Sequence, residues 1–300
     1  MTKYVISGYI GFNNFGDEAI VGTLISHLKS INANKITVLS SNPKQTSNNH
    51  NVASEYYLNF YKTILETDVL ISGGGSLLQD VTSLKSLIYY LAVIVTALVF
   101  NKKVIIFAQG FSPFRTFWGR FFTKFVLKYC DVITVRDIQS HDILKSMNIN
   151  SEIIADPVFG IEVPKIEKQE GIGVQLRNSE LLTESFMENL AEELSQRFVG
   201  QKVKLFSLQD SLDLDILKKF AKTLDKKNIK SEIYSNLDIK TCIYELSKLE
   251  YLIGMRFHAN LIASKAKVKV LGINYDIKVE NLSKQIGFPI VNFNNNPSCS

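Results

Sequence analysis

The sequence predicts an α/β protein made of two doubly wound domains with a ligand cleft between them. Short runs of β-branched and apolar residues alternate with longer amphipathic stretches, which is the pattern of βα units around a parallel sheet. The alternation breaks once, near the middle of the chain. The length of 300 residues also suits two domains of ordinary size.

The first domain is expected to span residues 1–160. Its predicted strands are Tyr4–Ser7, Ile36–Leu39, Val69–Ser72, Val104–Ala108, Val132–Val135 and Ile153–Ala155. Its predicted helices are Glu18–Ile31, Leu84–Phe100, Phe117–Lys128 and Ile138–Met147. Asp137 is the expected N-cap of the last helix, because its carboxylate can accept an amide hydrogen of the first turn.

One segment of this domain resembles a membrane span. Residues 87–100 are continuously apolar, but they number only 14. A spanning helix needs about 20 apolar residues. A core strand is predicted directly after the segment, so we expect a buried helix there.

Residues 161–171 contain Pro164 among glutamates and lysines and show neither a helical nor a strand period. We interpret them as a linker to a second domain at 172–300. Its predicted strands are Ile172–Gln175, Val203–Phe206, Ser231–Tyr234, Tyr251–Ile253, Val268–Gly272 and Ile290–Val291. Its predicted helices are Leu181–Phe198, Leu214–Lys227, Ile239–Ser247 and Ala259–Lys265.

Charge and cysteine content limit the class of protein. The 34 basic and 29 acidic residues give a net charge of +5, which suits an anionic small ligand or a membrane surface better than nucleic acid. Cys130, Cys242 and Cys299 are far apart, which argues against a disulfide framework or a zinc site and fits a reducing cytoplasm. The N-terminus enters a strand without a signal-peptide segment. We expect a cytoplasmic protein without a metal; peripheral contact with the inner membrane face and the oligomeric state stay open.

A glycine-rich loop, Gly8–Glu18, follows the first predicted strand and leads into a helix. Glycines such as Gly11 let the backbone approach a ligand closely, and a helix N-terminus offers free amides to an anion. The spacing does not match GxGxxG. Asp17 and Glu18 would repel a phosphate, so a turn with an acidic N-cap is an equally good interpretation.

Three further features follow strands of the first domain. Gly73–Gly75 could form a nest of backbone amides for an anion, or a tight turn packed under a helix. Gln109 and Gly110 end another predicted strand. Arg136 follows the next, and its guanidinium suits a carboxylate or a phosphate, although an ion pair within the protein is the competing interpretation.

The second domain has a denser cluster of the same kind. Arg256 and His258 lie in the sequence GMRFHAN, between a predicted strand and a predicted helix. Arginine can fix an anion, and histidine can exchange a proton near neutral pH. Lys278 follows the next strand as a further cation.

The motifs, taken in order, resemble those of the polysaccharide pyruvyl transferase family, most closely its CsaB-type members, which modify cell-wall polysaccharide. The similarity runs from about Tyr4 to about Phe293. The motifs are GYIGFNNFGDEAI, LISGGGSLLQDVTS, FAQGFSP, ITVRD, ADPVF, IGVQLR, GMRFHA and INYDIK. Two positions depart from the family pattern, with Phe257 in place of leucine and Ile277 in place of proline. Relatives commonly continue with a further helix at the C-terminal end.

The resemblance implies a GT-B-like pair of Rossmann-like domains that transfer a pyruvyl group from phosphoenolpyruvate to a sugar, forming a ketal without a metal or other cofactor. It places donor binding on Arg136, Arg256, His258 and Lys278, with His258 and Arg136 catalytic. The acceptor, a saccharide that is free or lipid-linked, is expected at loops of the first domain. The residues expected there are Gly11, Asn13, Asp17, Glu18, Gly73, Gly74, Gly75, Ser76, Gln79, Asp80 and Gln109.

Two other functions remain open from the sequence. A GT-B glycosyltransferase would use a nucleotide sugar on the same fold, since a fold alone does not choose the donor. A non-catalytic protein of this fold would bind an anion without turnover.

Overall fold

A computed structural model describes residues 2–33, 35–80, 83–167 and 170–293. The chain divides into two compact units, Met1–Ile161 and Glu162–Ser300. Parts of two sequence predictions, residues 168 and 169 of the linker and Cys299, lie outside the described residues.

The first unit is built on a parallel sheet, and its described residues contain seven strands. They are β1 (Lys3–Ser7), β2 (Lys35–Ser40), β3 (Ala53–Tyr56), β4 (Val69–Gly75), β5 (Lys103–Gln109), β6 (Val132–Val135) and β7 (Glu152–Ile153). Their order across the sheet is β3-β2-β1-β4-β5-β6-β7. This is the common doubly wound order, in which the direction of winding reverses between β1 and β4.

The helices of this unit connect the strands in the predicted alternation. They are α1 (Phe15–Ser30), α2 (Pro43–His50), α3 (Phe60–Leu65), α4 (Leu84–Val99), α5 (Phe117–Leu127) and α6 (Ile138–Ser146). Asp137 caps α6 as predicted, accepting a hydrogen bond of 2.7 Å from Ser140 N. The sequence did not predict α2, β3 or α3. In α2 the segment KQTSNNH has no apolar period; Asn42 and Pro43 begin the helix instead.

The apolar segment 87–100 lies almost entirely within α4, as predicted. Leu87, Tyr90, Leu91, Val93, Ile94 and Ala97 are buried in the core of the first unit. Within the described residues, no helix has the length and apolar character needed to cross a membrane.

The second unit repeats the architecture, with six strands among its described residues. They are β8 (Ile172–Gln175), β9 (Val203–Phe206), β10 (Ser231–Tyr234), β11 (Tyr251–Gly254), β12 (Lys269–Asn274) and β13 (Ile290–Asn292). Their order is β10-β9-β8-β11-β12-β13, so the winding reverses between β8 and β11. The helices are α7 (Glu184–Arg197), α8 (Asp210–Lys226), α9 (Ile239–Ser247), α10 (Phe257–Lys265) and α11 (Ile277–Ile286). The prediction of two doubly wound α/β folds is confirmed.

The structure corrects the sequence prediction at three places that matter for function. Gly73–Gly75 is not a loop, because β4 continues through Gly75 and pairs with β5 as far as Gln109. Helix α10 begins at Phe257 and not at Ala259. A helix that the sequence did not predict, α11, begins at Ile277.

Candidate active site

The reversal of winding in each sheet marks where ligands bind in folds of this kind, beyond the carboxyl ends of the strands. In the first unit, the loops after β1 and β4 flank the reversal, and they carry most of the predicted acceptor residues. In the second unit, the segments after β8 and β11 flank it, and β12 is the next strand. Arg177, Arg256 and Lys278 come after these three neighbouring strands.

Glu18, predicted to bind the acceptor, is engaged inside the first unit. Its Oε1 accepts a hydrogen bond of 2.7 Å from Gly11 N, and its Oε2 lies 2.8 Å from His50 Nε2. The side chain of Glu18 is 10% exposed and that of His50 is 4% exposed. Glu18 therefore shapes the loop after β1, and the sequence missed His50 as its partner because α2 itself was not predicted.

The loop after β1 requires glycine at position 11. Gly11 has a φ of +83°, and a Cβ there would overlap Ser40 Oγ and lie 2.6 Å from Asn42 N. The N-cap of α1 is Asn14, which accepts a hydrogen bond of 3.0 Å from Gly16 N, and not Asp17 or Glu18. The acidic N-cap considered for this loop is therefore wrong.

The glycine run at the end of β4 is closely packed. A Cβ on Gly74 would overlap Ile20 Cγ2, and a Cβ on Gly75 would lie 2.7 Å from Asp17 Oδ1. Gln109 is fully buried, and its Oε1 accepts a hydrogen bond of 3.2 Å from Leu77 N. These contacts pack the end of β4 and the segment after it closely against neighbouring residues. Close packing was the alternative to an anion-binding nest in the sequence analysis.

Asp80, another predicted acceptor residue, binds the chain just before α5. Its carboxylate accepts hydrogen bonds of 2.8 Å from Arg115 N, 2.8 Å from Thr116 N and 2.5 Å from Thr116 Oγ1. Burial alone would raise the pKa of Asp80, but the hydrogen bonds from Thr116 and Arg115 outweigh it and lower the pKa below its ordinary value. Asp80 thus fixes the N-terminal end of α5.

Arg136 follows β6 and forms a buried ion pair. Its Nη1 lies 2.9 Å from Asp156 Oδ2, and Nη2 donates a hydrogen bond of 3.4 Å to Ser76 Oγ. The side chains of Arg136 and Asp156 are 6% and 2% exposed. A Cβ on Gly110 would lie 2.9 Å from two guanidinium nitrogens, so glycine is needed beneath Arg136. The structure thus contains an ion pair of Arg136 within the protein, which was the competing interpretation. Binding of the donor substrate by Arg136 stays a prediction.

Arg256 is fixed by a second buried carboxylate. Its Nε lies 2.8 Å from Asp213 Oδ2, and its Nη2 lies 2.6 Å from Asp213 Oδ1 and 3.2 Å from Gln209 Oε1. Its backbone N donates a hydrogen bond of 2.7 Å to Gln175 Oε1. These contacts use Nε and Nη2, so Nη1 is the nitrogen of the guanidinium that makes no hydrogen bond within the described residues.

Asp213 is the principal site residue that sequence reasoning missed. It is fully buried and also accepts hydrogen bonds from Leu208 N at 3.0 Å and Gln209 N at 3.1 Å. A signal was present, because Asp213 occupies the apolar face of α8 with Ile216 and Leu217. An acidic residue on a buried helix face requires a partner.

His258 and Lys278 both lie in the first turn of a helix. His258 is the second residue of α10, with its ring centroid 5.0 Å from that of Phe257. Lys278 is the second residue of α11, and its backbone N donates a hydrogen bond of 3.0 Å to the capping residue Asp276. Ile277, where the family pattern has proline, is the first residue of α11. Proline favours that position, and the Asp276 cap begins the helix without it.

Arg177 is a cation for which the sequence assigned no role, although its motif was noted. Its Nη1 donates a hydrogen bond of 3.1 Å to Tyr275 Oη, and its guanidinium carbon lies 5.3 Å from the centroid of that ring. Its Nε is buried and finds no hydrogen-bond partner within the described residues. A buried N–H without a hydrogen-bond partner is energetically costly.

No group of three or more His, Cys, Asp or Glu side chains within the described residues could hold a metal ion. The two doubly wound units define the class of this protein, a GT-B-like α/β protein. The chain belongs to the polysaccharide pyruvyl transferase family, whose model matches residues 14–277. The resemblance stated from the sequence is therefore confirmed. A search of curated proteins finds no match.

Solved structures with the same fold include several enzymes that act on nucleotide sugars. UDP-GlcNAc 2-epimerase from Methanocaldococcus jannaschii is 13% identical with a TM-score of 0.65, over 98% of this chain and 89% of that one. UDP-GlcNAc 2-epimerase from Neisseria meningitidis bound to UDP-GlcNAc is 10% identical with a TM-score of 0.60, over 90% and 82%. Anabaena Alr3699/HepE with UDP-glucose is 10% identical with a TM-score of 0.61, over 97% and 86%. At these identities the similarity shows the fold alone.

Proposed function

We propose that the protein transfers the pyruvyl group of phosphoenolpyruvate to two hydroxyls of a cell-wall or exopolysaccharide precursor, forming a ketal. The observation that carries the proposal is the position of three basic side chains. Arg256 is the N-cap of α10, His258 lies in the first turn of α10, and Lys278 lies in the first turn of α11.

Basic side chains are unusual at these positions. A helix N-terminus carries a partial positive charge and normally attracts acidic residues, whereas cations there are destabilising. Strands β11 and β12 are paired, so α10 and α11 begin at the same edge of the sheet. An anion bound at this edge would interact favourably with both the helix dipoles and the basic side chains.

Phosphoenolpyruvate fits because it carries a carboxylate and a phosphate, about three negative charges at neutral pH. In the proposal, Arg256 Nη1 binds one anionic group, and Asp213 holds the guanidinium in a fixed orientation. Lys278 and the amides of the first turns of α10 and α11 bind the other. Arg177 Nε, next to the reversal of winding, is a further donor to the same ligand. The role of Arg136 is inferred from the family resemblance.

The proposed chemistry needs one proton donor. His258 donates a proton to C3 of phosphoenolpyruvate, which converts the methylene to a methyl group and makes C2 electrophilic. A sugar hydroxyl adds to C2, and its proton returns to His258. The C2–O bond to phosphate then breaks, and a second hydroxyl adds to C2 to close the ketal. The second hydroxyl proton leaves with the phosphate, so atoms and charges balance.

We propose that the saccharide binds at the carboxyl edge of the sheet in the first unit. Asn13, Asp17, Ser76 and Gln79 are the candidate direct contacts, with the backbone of Gly11 and Gly73–Gly75 beside them. Glu18, Asp80 and Gln109 are proposed as positioning residues, because their side chains are buried and accept hydrogen bonds from backbone amides.

A nucleotide-sugar donor is the second candidate function. It is favoured by the fold of structures that were solved with UDP-GlcNAc or UDP-glucose. The two candidates differ in the leaving group, since one releases inorganic phosphate and the other releases a nucleotide.

The test combines phosphoenolpyruvate with saccharide precursors, free and lipid-linked, and follows phosphate release. His258→Ala should lower kcat by about 10²–10⁴-fold, and its matched control is His27→Ala at an exposed position of α1. Lys278→Ala should raise KM for phosphoenolpyruvate, and Lys284→Ala on the same helix should not. Unchanged kinetics in His258→Ala, or turnover of a nucleotide sugar alone, would contradict the proposal.

A further inference from the structure

Helix α5 has an aromatic face that points away from the first unit. Its residues, Phe117, Trp118, Phe121, Phe122 and Phe125, are 47–71% exposed, and Tyr129 just beyond the helix is 61% exposed. The rings contact one another, with Trp118 stacked on Phe122 and Phe117 stacked on Phe121. Aromatic side chains carry a large apolar area, and a contiguous exposed patch of this kind marks a binding surface.

The opposite side of α5 fixes the helix to its unit. Gly119, Thr123, Val126 and Leu127 are buried. Thr116 caps the helix by accepting a hydrogen bond of 3.0 Å from Gly119 N, and Asp80 binds Thr116 in turn. The aromatic face is therefore presented by a rigid element, and its exposure does not come from a loosely attached segment.

Basic residues border the aromatic face. Arg120, Lys124 and Lys128 follow one another at intervals of four residues, and α5 contains no acidic residue. Lys124 and Lys128 form no ion pair with any described residue. Beyond the helix, a groove of about 700 Å³ is lined by Phe125, Tyr129, Lys102, Lys103 and one acidic residue, Asp131. The surface is thus apolar at its centre and predominantly positive at its border.

We propose that α5 is an interfacial helix that docks the protein on a bilayer containing anionic lipids. Tryptophan and phenylalanine on one face with lysine and arginine beside them are typical of helices that lie in the plane of a membrane surface. Lysine next to the patch is attracted by anionic headgroups. The inference depends on α5 and its neighbours alone and goes beyond the proposed reaction.

A second copy of the chain fits this surface less well. A symmetric contact through α5 would bring Lys124 and Lys128 of each copy close to the same residues of the other, without acidic residues on α5 to offset them. Lysine is also depleted at interfaces between proteins. Charge complementarity therefore favours an anionic lipid surface.

The chain contains a single tryptophan, Trp118, and it lies in the aromatic face, so tryptophan fluorescence reports on this surface alone. The experiment mixes the full chain with vesicles of phosphatidylcholine alone or with phosphatidylglycerol added, and measures co-sedimentation and tryptophan emission. We expect binding to the anionic vesicles, weakened by salt, with a blue shift of Trp118 emission and quenching by brominated acyl chains.

Variants separate the two components of the surface. Phe121→Ser with Phe125→Ser should abolish the blue shift. Lys124→Glu with Lys128→Glu should weaken binding by at least about thirtyfold, because two attractive charges are lost and two repelled charges are added. Lys218→Glu with Lys222→Glu is the matched control, with the same spacing and charge change at exposed positions of α8, and it should bind as the unaltered chain does. Far-UV circular dichroism confirms that each variant is folded.

Three outcomes would overturn the inference. These are no binding to anionic vesicles, equal loss in the Lys218/Lys222 control, and a dimer in light scattering that dissociates in the Phe121/Phe125 variant. Phosphate release with a free saccharide acceptor is measured on the same variants and is expected to be unchanged, so failure of membrane binding and failure of the proposed reaction are distinguishable.

Discussion

The buried carboxylate of Asp213 provides a demanding test of how Arg256 is held. The perturbation is Asp213→Asn, which keeps the size of the side chain and one acceptor oxygen but removes the charge. In the structure the carboxylate is fully buried and binds both Nε and Nη2 of Arg256. After the substitution, an amide NH₂ faces the guanidinium, donor against donor, and Arg256 becomes a buried cation without a counter-charge.

The magnitude follows from this geometry. Removing one partner of a buried ion pair costs about 3–5 kcal/mol. The asparagine oxygen can still accept from Leu208 N or Gln209 N, so we expect the lower end, about 3 kcal/mol in the free energy of unfolding. For a unit of this size, that corresponds to a decrease in Tm of roughly 10 °C.

The assay is urea unfolding followed by far-UV circular dichroism, with hydrogen exchange to assign the loss to the second unit. Asp215→Asn is the matched control, because it makes the same substitution at an exposed position of the same helix, and it should change stability by less than about 0.5 kcal/mol. A change of less than about 1 kcal/mol in Asp213→Asn would refute the reasoning, since Arg256 would then be stabilised by something other than Asp213.

Three other predictions concern the first unit and the cysteines. Gly74→Ala should lower the free energy of unfolding by about 2–4 kcal/mol, measured in urea, because φ is +23° and the new Cβ would overlap Ile20; an unchanged midpoint would contradict the packing described. Burial raises the pKa of the Cys130 and Cys242 thiols to about 12, so peptides containing them should stay unlabelled by iodoacetamide at pH 8 in the native protein and react after denaturation. The lowered pKa of Asp80 contributes stability at neutral pH that is lost as the pH falls through that pKa. Asp80→Asn should therefore make the free energy of unfolding depend less steeply on pH at acid pH. The same pH dependence in both proteins would show that Asp80 makes no such contribution to stability.

Most strands and helices could be predicted because the hydrophobic period of each segment matches the face that it buries in the folded unit. The strands Val132–Val135 and Ser231–Tyr234 have the same bounds in prediction and structure. The failures have physical causes. Helix α2 is polar throughout and depends on the Asn42 cap, and β4 runs through three glycines that a propensity argument assigns to a turn.

The sequence indicated candidate residues for the site but not the protein groups that contact them. Strand ends and motif resemblance gave Arg136, Arg256 and His258 as candidates, and their roles stay predictions. Their partners depend on contacts between residues distant in sequence, such as Asp213 with Arg256 across 43 positions. Glu18 and Asp80 were assigned to a ligand because a sequence does not reveal that a carboxylate already binds backbone amides of its own fold.

The central claim is that a phosphoenolpyruvate-derived pyruvyl group becomes a ketal on a saccharide. The most direct measurement is mass spectrometry of the acceptor together with phosphate release. The account predicts a product heavier by one pyruvate less one water, one phosphate released per product, and neither in His258→Ala. Release of a nucleotide with addition of a sugar to the acceptor, or phosphate release without any ketal, would contradict it.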